Sequence, residues 1–345
     1  MSVGIVYDPV YLKHGTGNHV ENATRLEAVI AELEASGTME RLKSIEPHAA
    51  ELRELLGVHS KQHVAVVQAM AKNGGGWLDP DTLVSPASFE VACLAAGGAM
   101  AAVDAVMNSE VNSAFALVRP PGHHATVERV MGFCLFNNIA VAAQYAVKQY
   151  KLEEILIIDF DVHHGNGTQD IFYNDQCVLY ISTHQFPHYP GTGNIDEMGT
   201  LLTKGTTLNI PMPAGSGDAE YLRILNEIVV PAGRRFKPQL ILVSAGFDGH
   251  WTDSMSGMQF SARGYARITN IIKKLAEGLC QGRLVLVLEG GYELKALATS
   301  VRATFEVLLG DNADVVSDPL GDSPQQFGFP EVDSLIAAVK KLHKL

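Results

Sequence analysis

Cysteine is scarce in this sequence and never clustered. The four cysteines stand at 93, 134, 177 and 280, with no C-x-x-C pair, which excludes a zinc-finger module and a redox dithiol. They are expected as buried thiols in a reducing cytoplasm. Basic runs are missing too. Lys plus Arg is 26 against 38 for Asp plus Glu, a net charge of −12. The longest basic clusters are pairs, such as Lys273-Lys274 and Lys340-Lys341, so no direct contact with nucleic acid is expected. No run of about 18 apolar residues lacks charge, so no membrane span is expected. The stretch Val91 to Met107, interrupted by Asp104, reads as a buried helix. The first residues, Met1 to Asp8, lack a basic region followed by an apolar run and read as a first strand rather than a signal peptide. Linkers, low-complexity tracts and repeats are absent as well. With 345 residues, 47% of them hydrophobic, the chain reads as a single domain over 1–345.

What is present is an alternation. Short apolar runs recur at Ala114–Val118, Ile155–Phe160, Val178–Ile181, Leu240–Val243 and Leu284–Leu288. Continuous runs of this length suit strands buried on both faces. Between them lie helix-like segments at Pro86–Met107, Asn138–Tyr150, Asp218–Phe236, Ser261–Leu279 and Leu294–Leu308. The alternation predicts an α/β fold with a parallel sheet between helices. The stretch from Gln185 to Gly205, rich in Pro and Gly, reads as a long functional loop. The stretch from Asp311 to Pro330 reads as irregular surface packing.

The reactive residues follow the strands. Arg119-Pro-Pro-Gly-His-His124, Asp159-Phe-Asp-Val-His-His-Gly-Asn-Gly167, Ser182-Thr-His184, Ser244-Ala-Gly-Phe-Asp-Gly-His250 and Glu289-Gly-Gly-Tyr292 each succeed an apolar run. In open α/β sheets the site lies outside the carboxyl ends of the strands. On an extended segment Asp161 and His163 point to one side, and Asp248 offers a third ligand. Two carboxylates and one imidazole suit zinc or another divalent first-row ion, with a position left for water and substrate. The competing reading is a hydrogen-bonded Asp161–His163 pair that caps a helix. His123 and His124 follow a stiff Pro-Pro-Gly turn, in which Gly122 can take a positive φ, and suit acid/base work. Asp159 and Asn166 are natural hydrogen-bond partners for imidazoles. Tyr292, after two glycines, can stabilise an oxyanion; an ordinary tyrosine at a helix start is the alternative.

Together these segments, with Gly132-Phe-Cys-Leu-Phe-Asn-Asn138, resemble the motifs of the zinc-dependent histone deacetylase family. The similarity runs from about Tyr7 to about Gly310 and extends to bacterial histone deacetylase-like amidohydrolases and acetylpolyamine amidohydrolases. The resemblance implies an arginase/deacetylase-like three-layer fold with a mainly parallel eight-stranded sheet. It implies one Zn2+ on Asp161, His163 and Asp248. His123 and His124 become the tandem histidines, with His124 the general base and acid, Asp159 partner to His123, and Asn166 partner to His124. Tyr292 becomes the donor to the substrate carbonyl and oxyanion. Gly132, Phe133, Tyr189 and Met255 become the walls and mouth of an acyl-lysine tunnel. K+ is implied at Asp159, Asp161, His163, Ser182 and Thr183, and Arg25 matches an arginine of an internal product channel, or else makes an ordinary helix salt bridge.

Two positions set the subtype. Asn166 stands where class I members have Asp, a class II-like pattern, and a neutral partner leaves His124 less basic. Met255 stands where polyamine-selective relatives have Glu, which favours acyl-lysine in a protein or peptide, or a neutral N-acetyl amide, over acetylpolyamine. A dinuclear manganese ureohydrolase is the alternative on this fold. It needs a carboxylate where Gly165 stands and Asp where His250 stands. A catalytically silent acyl-lysine binder needs a lost ligand, His or Tyr, and none is lost. Oligomeric state is left open by the sequence.

Overall fold

The computed structural model describes residues 2–324 and 328–345. Its strands are β1 (Val3–Val6), β2 (Lys43–Ile45), β3 (Gly76–Trp77), β4 (Leu83–Val84), β5 (Ser113–Ala116), β6 (Ile155–Asp159), β7 (Val178–Gln185), β8 (Thr207–Met212), β9 (Leu240–Ala245) and β10 (Leu284–Leu288). Its helices are α1 (Thr24–Ala35), α2 (Leu52–Leu55), α3 (Lys61–Lys72), α4 (Ser88–Met107), α5 (Asn138–Tyr150), α6 (Asn166–Phe172), α7 (Asp218–Ile224), α8 (Val230–Phe236), α9 (Ala262–Cys280), α10 (Leu294–Leu309) and α11 (Pro330–His343).

Eight strands form one sheet in the order β2-β1-β5-β10-β9-β6-β7-β8, with every pairing parallel. The central strands are buried along their whole length, which is why their sequences are largely continuous apolar runs rather than alternating. Helices α1, α10 and α9 pack in a row, and α4 packs on α5. These two helical layers and the sheet between them are the expected three-layer α/β architecture. Helix α4 is apolar and long enough to cross a membrane, but 78% of its apolar window is buried within the protein, as expected for a core helix.

Several expectations need correcting. The run Val178–Ile181 continues to Gln185, so Ser182, Thr183 and His184 belong to the strand itself. Helix α4 starts at Ser88, two residues beyond Pro86, where the Ser85 amide meets Ser88 Oγ at 2.7 Å. The segment 218–236 is α7 and α8 joined by a π-helical turn, Leu225–Val229. Cys177 is only half-buried, while Cys93, Cys134 and Cys280 are buried, and all four are free. Within the irregular stretch after Asp311, residues 325–327 lie outside the described residues.

Candidate active site

The carboxyl ends of β5, β6, β9 and β10 open on one side of the sheet, and each hands over to a loop that carries reactive side chains. Asp161 and His163 do not lie on an extended strand. They follow β6 in a bend, because Asp161 Oδ1 accepts the His163 amide at 2.9 Å, an Asx turn that wraps the chain back on itself. Asp248, after β9, meets them. One ligand atom from each of Asp161, His163 and Asp248 lies within 4.8 Å of the others, and all three residues are buried.

The chemistry of this group fits a cation. Asp248 Oδ2 is buried and has no aligned hydrogen-bond donor, although His163 Nδ1 stands 3.1 Å away. A carboxylate oxygen left so is costly unless a charge meets it. Burial opposes a charged imidazole, yet Asp248 and Asp161 together push His163 up to about 10. Burial and the Asp161 charge push Asp248 up to about 6. Two glycines let the backbone close around the carboxylates. A Cβ on Gly246 would fall 1.9 Å from Asp161 Oδ2, and one on Gly290 would fall 2.3 Å from Asp248 Oδ2.

The tandem histidines stand beside this group. His123 Nδ1 donates to Asp159 Oδ2 at 3.0 Å, and that oxygen also accepts from Tyr180 Oη at 3.0 Å. His124 Nδ1 meets Asn166 Oδ1 at 2.8 Å. The Asn166 amide nitrogen faces Met131 Sδ at 3.2 Å, so its oxygen faces the imidazole and His124 donates from Nδ1. The Nε2 lone pair of His124 is left for other work. Burial opposes charge on His123, but Asp159, Asp161 and Glu289 outweigh it and push this imidazole up to about 10. His124 moves the other way, well below its ordinary value, through burial and the neighbouring His123 and His163. Neighbouring titratable groups pushed apart in this way are suited to acid and base work.

Gly122 departs from expectation. It does not take a positive φ; it is needed for close packing, since a Cβ would fall 2.5 Å from the Asn138 amide. The positive φ occurs instead at Gly132 (56°), Phe133 (68°) and Gly291 (119°).

A cavity of about 200 Å³ leads to the group. Gly132, Phe133, Tyr189, Met255 and Tyr292 line it together with His123, His124 and His163. Tyr189 stands edge-on to His124 at 5.2 Å, and Phe133 edge-on to Tyr292 at 5.8 Å. Burial pushes the Tyr292 phenol well above its ordinary range despite Arg25, so it remains a proton donor. Ser182 pairs with Asp159 across β6 and β7, and the Thr183 hydroxyl donates to the Asp159 carbonyl at 3.2 Å.

Sequence reasoning passed over several residues here. Glu289 Oε2 accepts the amides of Gly122 (2.7 Å) and His123 (3.1 Å), while Oε1 accepts from Ser244 Oγ (3.0 Å). It pins the histidine turn to β10. Asp81 lines the cavity and accepts the Gly132 amide at 3.2 Å; Thr82 Oγ1 accepts the Phe133 amide at 3.1 Å. His188 stacks on His163 at 5.0 Å. Arg25, which the sequence did single out, is fully buried and does more than pair with Glu21 (3.2 Å). It donates to the carbonyls of Glu289 (2.5 Å) and Gly291 (2.7 Å). Glu21 in turn neutralises Arg119, at 2.5 and 2.9 Å. Only Asp79-x-Asp81 and the arginine of the Arg-Pro-Pro-Gly segment were visible signals. Glu289 and Arg25 reach their backbone partners across more than a hundred positions.

A parallel α/β fold with a buried Asp–His–Asp group, a histidine pair and a tyrosine at one narrow cavity defines a class of hydrolases. Residues 19–308 match the model of the histone deacetylase domain, and the chain belongs to the histone deacetylase family. It is a hydrolase acting on amide bonds. It is 43% identical to a protein of Archaeoglobus fulgidus described as a probable deacetylase, over 94% of this chain and 91% of that one. It is 39% identical to the histone deacetylase-like amidohydrolase of Pseudomonas aeruginosa, over 88% of this chain and 80% of that one. Its structure is similar to the crystal structure of the HDA15 HD domain, with a TM-score of 0.90 and 34% identity, over 99% of this chain and 96% of that one.

Proposed function

We propose that this protein removes an acetyl or other acyl group from the ε-amine of lysine in a protein or peptide, with one zinc ion held by Asp161, His163 and Asp248. The observation that supports this most is the convergence of His163 of that group, His123, His124 and Tyr292 on one cavity of about 200 Å³ with largely apolar walls. Pro121, Gly132, Phe133 and Met255 offer the apolar contact that a lysine's methylene stem needs. When bound, the ion supplies Lewis acidity and a water of lowered pKa. His124 takes the proton of the attacking water at Nε2 and passes it to the departing amine. Burial, with the neighbouring His123 that pairs with Asp159, keeps His124 neutral beforehand. The Tyr292 hydroxyl donates to the developing oxyanion. The narrow cavity excludes bulk water around these groups.

The potassium reading rests on the resemblance and on the closeness of the Asp159 carbonyl to Thr183. The free cysteines support the reading of a reducing, cytoplasmic setting.

One observation favours a second substrate class. The neutral Met255 argues against a cationic substrate, but Asp81 also lines the cavity, and Asp79 Oδ1 accepts its amide at 2.9 Å. A carboxylate in the cavity wall suits an acetylated polyamine as well as a peptide. Hydrolysis of an acetyl-lysine peptide and of N8-acetylspermidine, each with zinc and with chelator, separates the readings. Chelator-sensitive cleavage of the peptide in preference to the polyamine is expected; preference for the polyamine reverses the substrate assignment, and silence on both defeats it.

A further inference from the structure

Asp253 lies five positions beyond Asp248, in the loop that follows β9, and is buried. Its Oδ2 accepts the amide of Tyr292 at 2.6 Å and that of Glu293 at 2.9 Å. Its Oδ1 accepts the amide of Met255 at 3.0 Å. The two oxygens thus bind two different parts of the site. One fixes the turn from which the Tyr292 phenol projects. The other fixes the backbone of Met255 in the cavity wall, whose carbonyl also meets His188 Nε2 at 2.9 Å.

The turn needs such a constraint. Gly290 and Gly291 precede Tyr292, and Gly291 holds φ at 119°, so the local chain is intrinsically permissive. Arg25 grips it from one side through the carbonyls of Glu289 and Gly291, with its guanidinium 4.8 Å from the centre of the Tyr292 ring. Asp253 grips the N–H groups from the other. We propose that Asp253 is a positioning residue. Its one carboxylate sets the oxyanion-donating phenol and the Met255 wall together, so that phenol placement and substrate fit are tuned by the same side chain. This rests on the reading of Tyr292 as oxyanion donor.

The chemistry of the carboxylate is specific. The Asp carboxylate offers acceptors at both ends of the group. Asn keeps one acceptor and turns an NH2 towards the remaining N–H, so one of the two anchors fails. Ala loses both.

The test is a double-mutant cycle on acetyl-lysine peptide hydrolysis, using the full chain with zinc. The variants are Asp253→Asn, Asp253→Ala, Tyr292→Phe and each Asp253 change combined with Tyr292→Phe. Metal content and thermal midpoint are recorded beside kcat and KM. We expect Asp253→Ala to lower kcat on the order of 10²-fold at unchanged metal content, since a misplaced catalytic group costs that much. We expect it to raise KM as well. In the Tyr292→Phe background the same change should lower kcat by about twofold at most, because the phenol it positions is gone. The KM increase should persist there. If Asp253→Ala does not fold, Asp253→Asn must show the same loss of one or both effects. An equal kcat loss in both backgrounds, a wild-type kcat, or loss of metal overturns the proposal. An unchanged KM in the variants overturns its Met255 half. Wild-type turnover by Tyr292→Phe alone is a different failure: it removes the reading of Tyr292 and this proposal with it.

Discussion

Asn166 Oδ1 stands 2.8 Å from His124 Nδ1, and this bond decides which nitrogen of the imidazole faces the cavity. A neutral partner fixes the tautomer without adding charge. Replacing it by a carboxylate favours the protonated imidazole. Asn166→Asp should therefore move the acid limb of the kcat/KM profile to higher pH, and Asn166→Ala should lower the rate on the order of 10-fold or more. Wild-type profiles for both variants would remove Asn166 from this role.

Glu289 is buried and meets three donors from two segments. Glu289→Ala strands the amides of Gly122 and His123 without a partner. At about 1–3 kcal/mol for each buried donor left unpaired, a loss of several kcal/mol is expected in denaturant unfolding. Burial pushes Glu289 up to about 7, against the pull of His123, so Glu289→Gln, which resembles the protonated acid, should be the milder change. Equal stability of the Ala variant and the wild type contradicts the role.

Much of this site was legible because it is local. Asp161 and His163 are two residues apart, and the histidine pair and Gly-Gly-Tyr292 sit where apolar runs stop. Strands buried on both faces announce themselves as short, nearly continuous apolar runs. Strand β8 did not, because Thr207–Met212 contains Asn209 and Pro211, and an edge strand tolerates a proline that a central one does not. Strand β2 has three residues, two of them exposed, and so lacks the apolar signal. The roles of Glu289 and Asp253 were illegible for another reason. Most of their partners are backbone amides, which carry no residue-type signature.

Two buried histidines predict the acid response of stability. His59 uses both nitrogens as a neutral ring: it meets the Thr126 carbonyl at 2.8 Å and accepts the Asn137 amide at 2.9 Å. Burial and the neighbouring His63 lower it to about 3. Burial, with Arg119, lowers His14 to about 4 despite Glu21. The unfolded chain takes up these protons near pH 6.5 and the folded chain does not. Their contribution to stability should therefore be complete above pH 6.5 and fall as pH drops towards 4, by about 1.4 kcal/mol per pH unit for each histidine. A His59→Gln variant should show a shallower slope of thermal midpoint against pH over that range. An identical slope speaks against His59 as a source.

Two glycines separate failure of the base from failure of the metal group. A Cβ on Gly132, where φ is 56°, would fall 2.3 Å from His124 Cδ2, whereas one on Gly290 would fall 2.3 Å from Asp248 Oδ2. Gly132→Ala should lower kcat on the order of 10²-fold while metal content is kept. Gly290→Ala should lose metal and activity together. The reverse pattern, or no effect from either, is inconsistent with the geometry.

The most direct measurement is a zinc titration of the chelator-stripped protein, following acetate release from an acetyl-lysine peptide. The account predicts no turnover without metal, a rise to a plateau at one equivalent per chain, and no recovery in Asp248→Asn. Full turnover in chelator, or a plateau reached only at two equivalents, would contradict it.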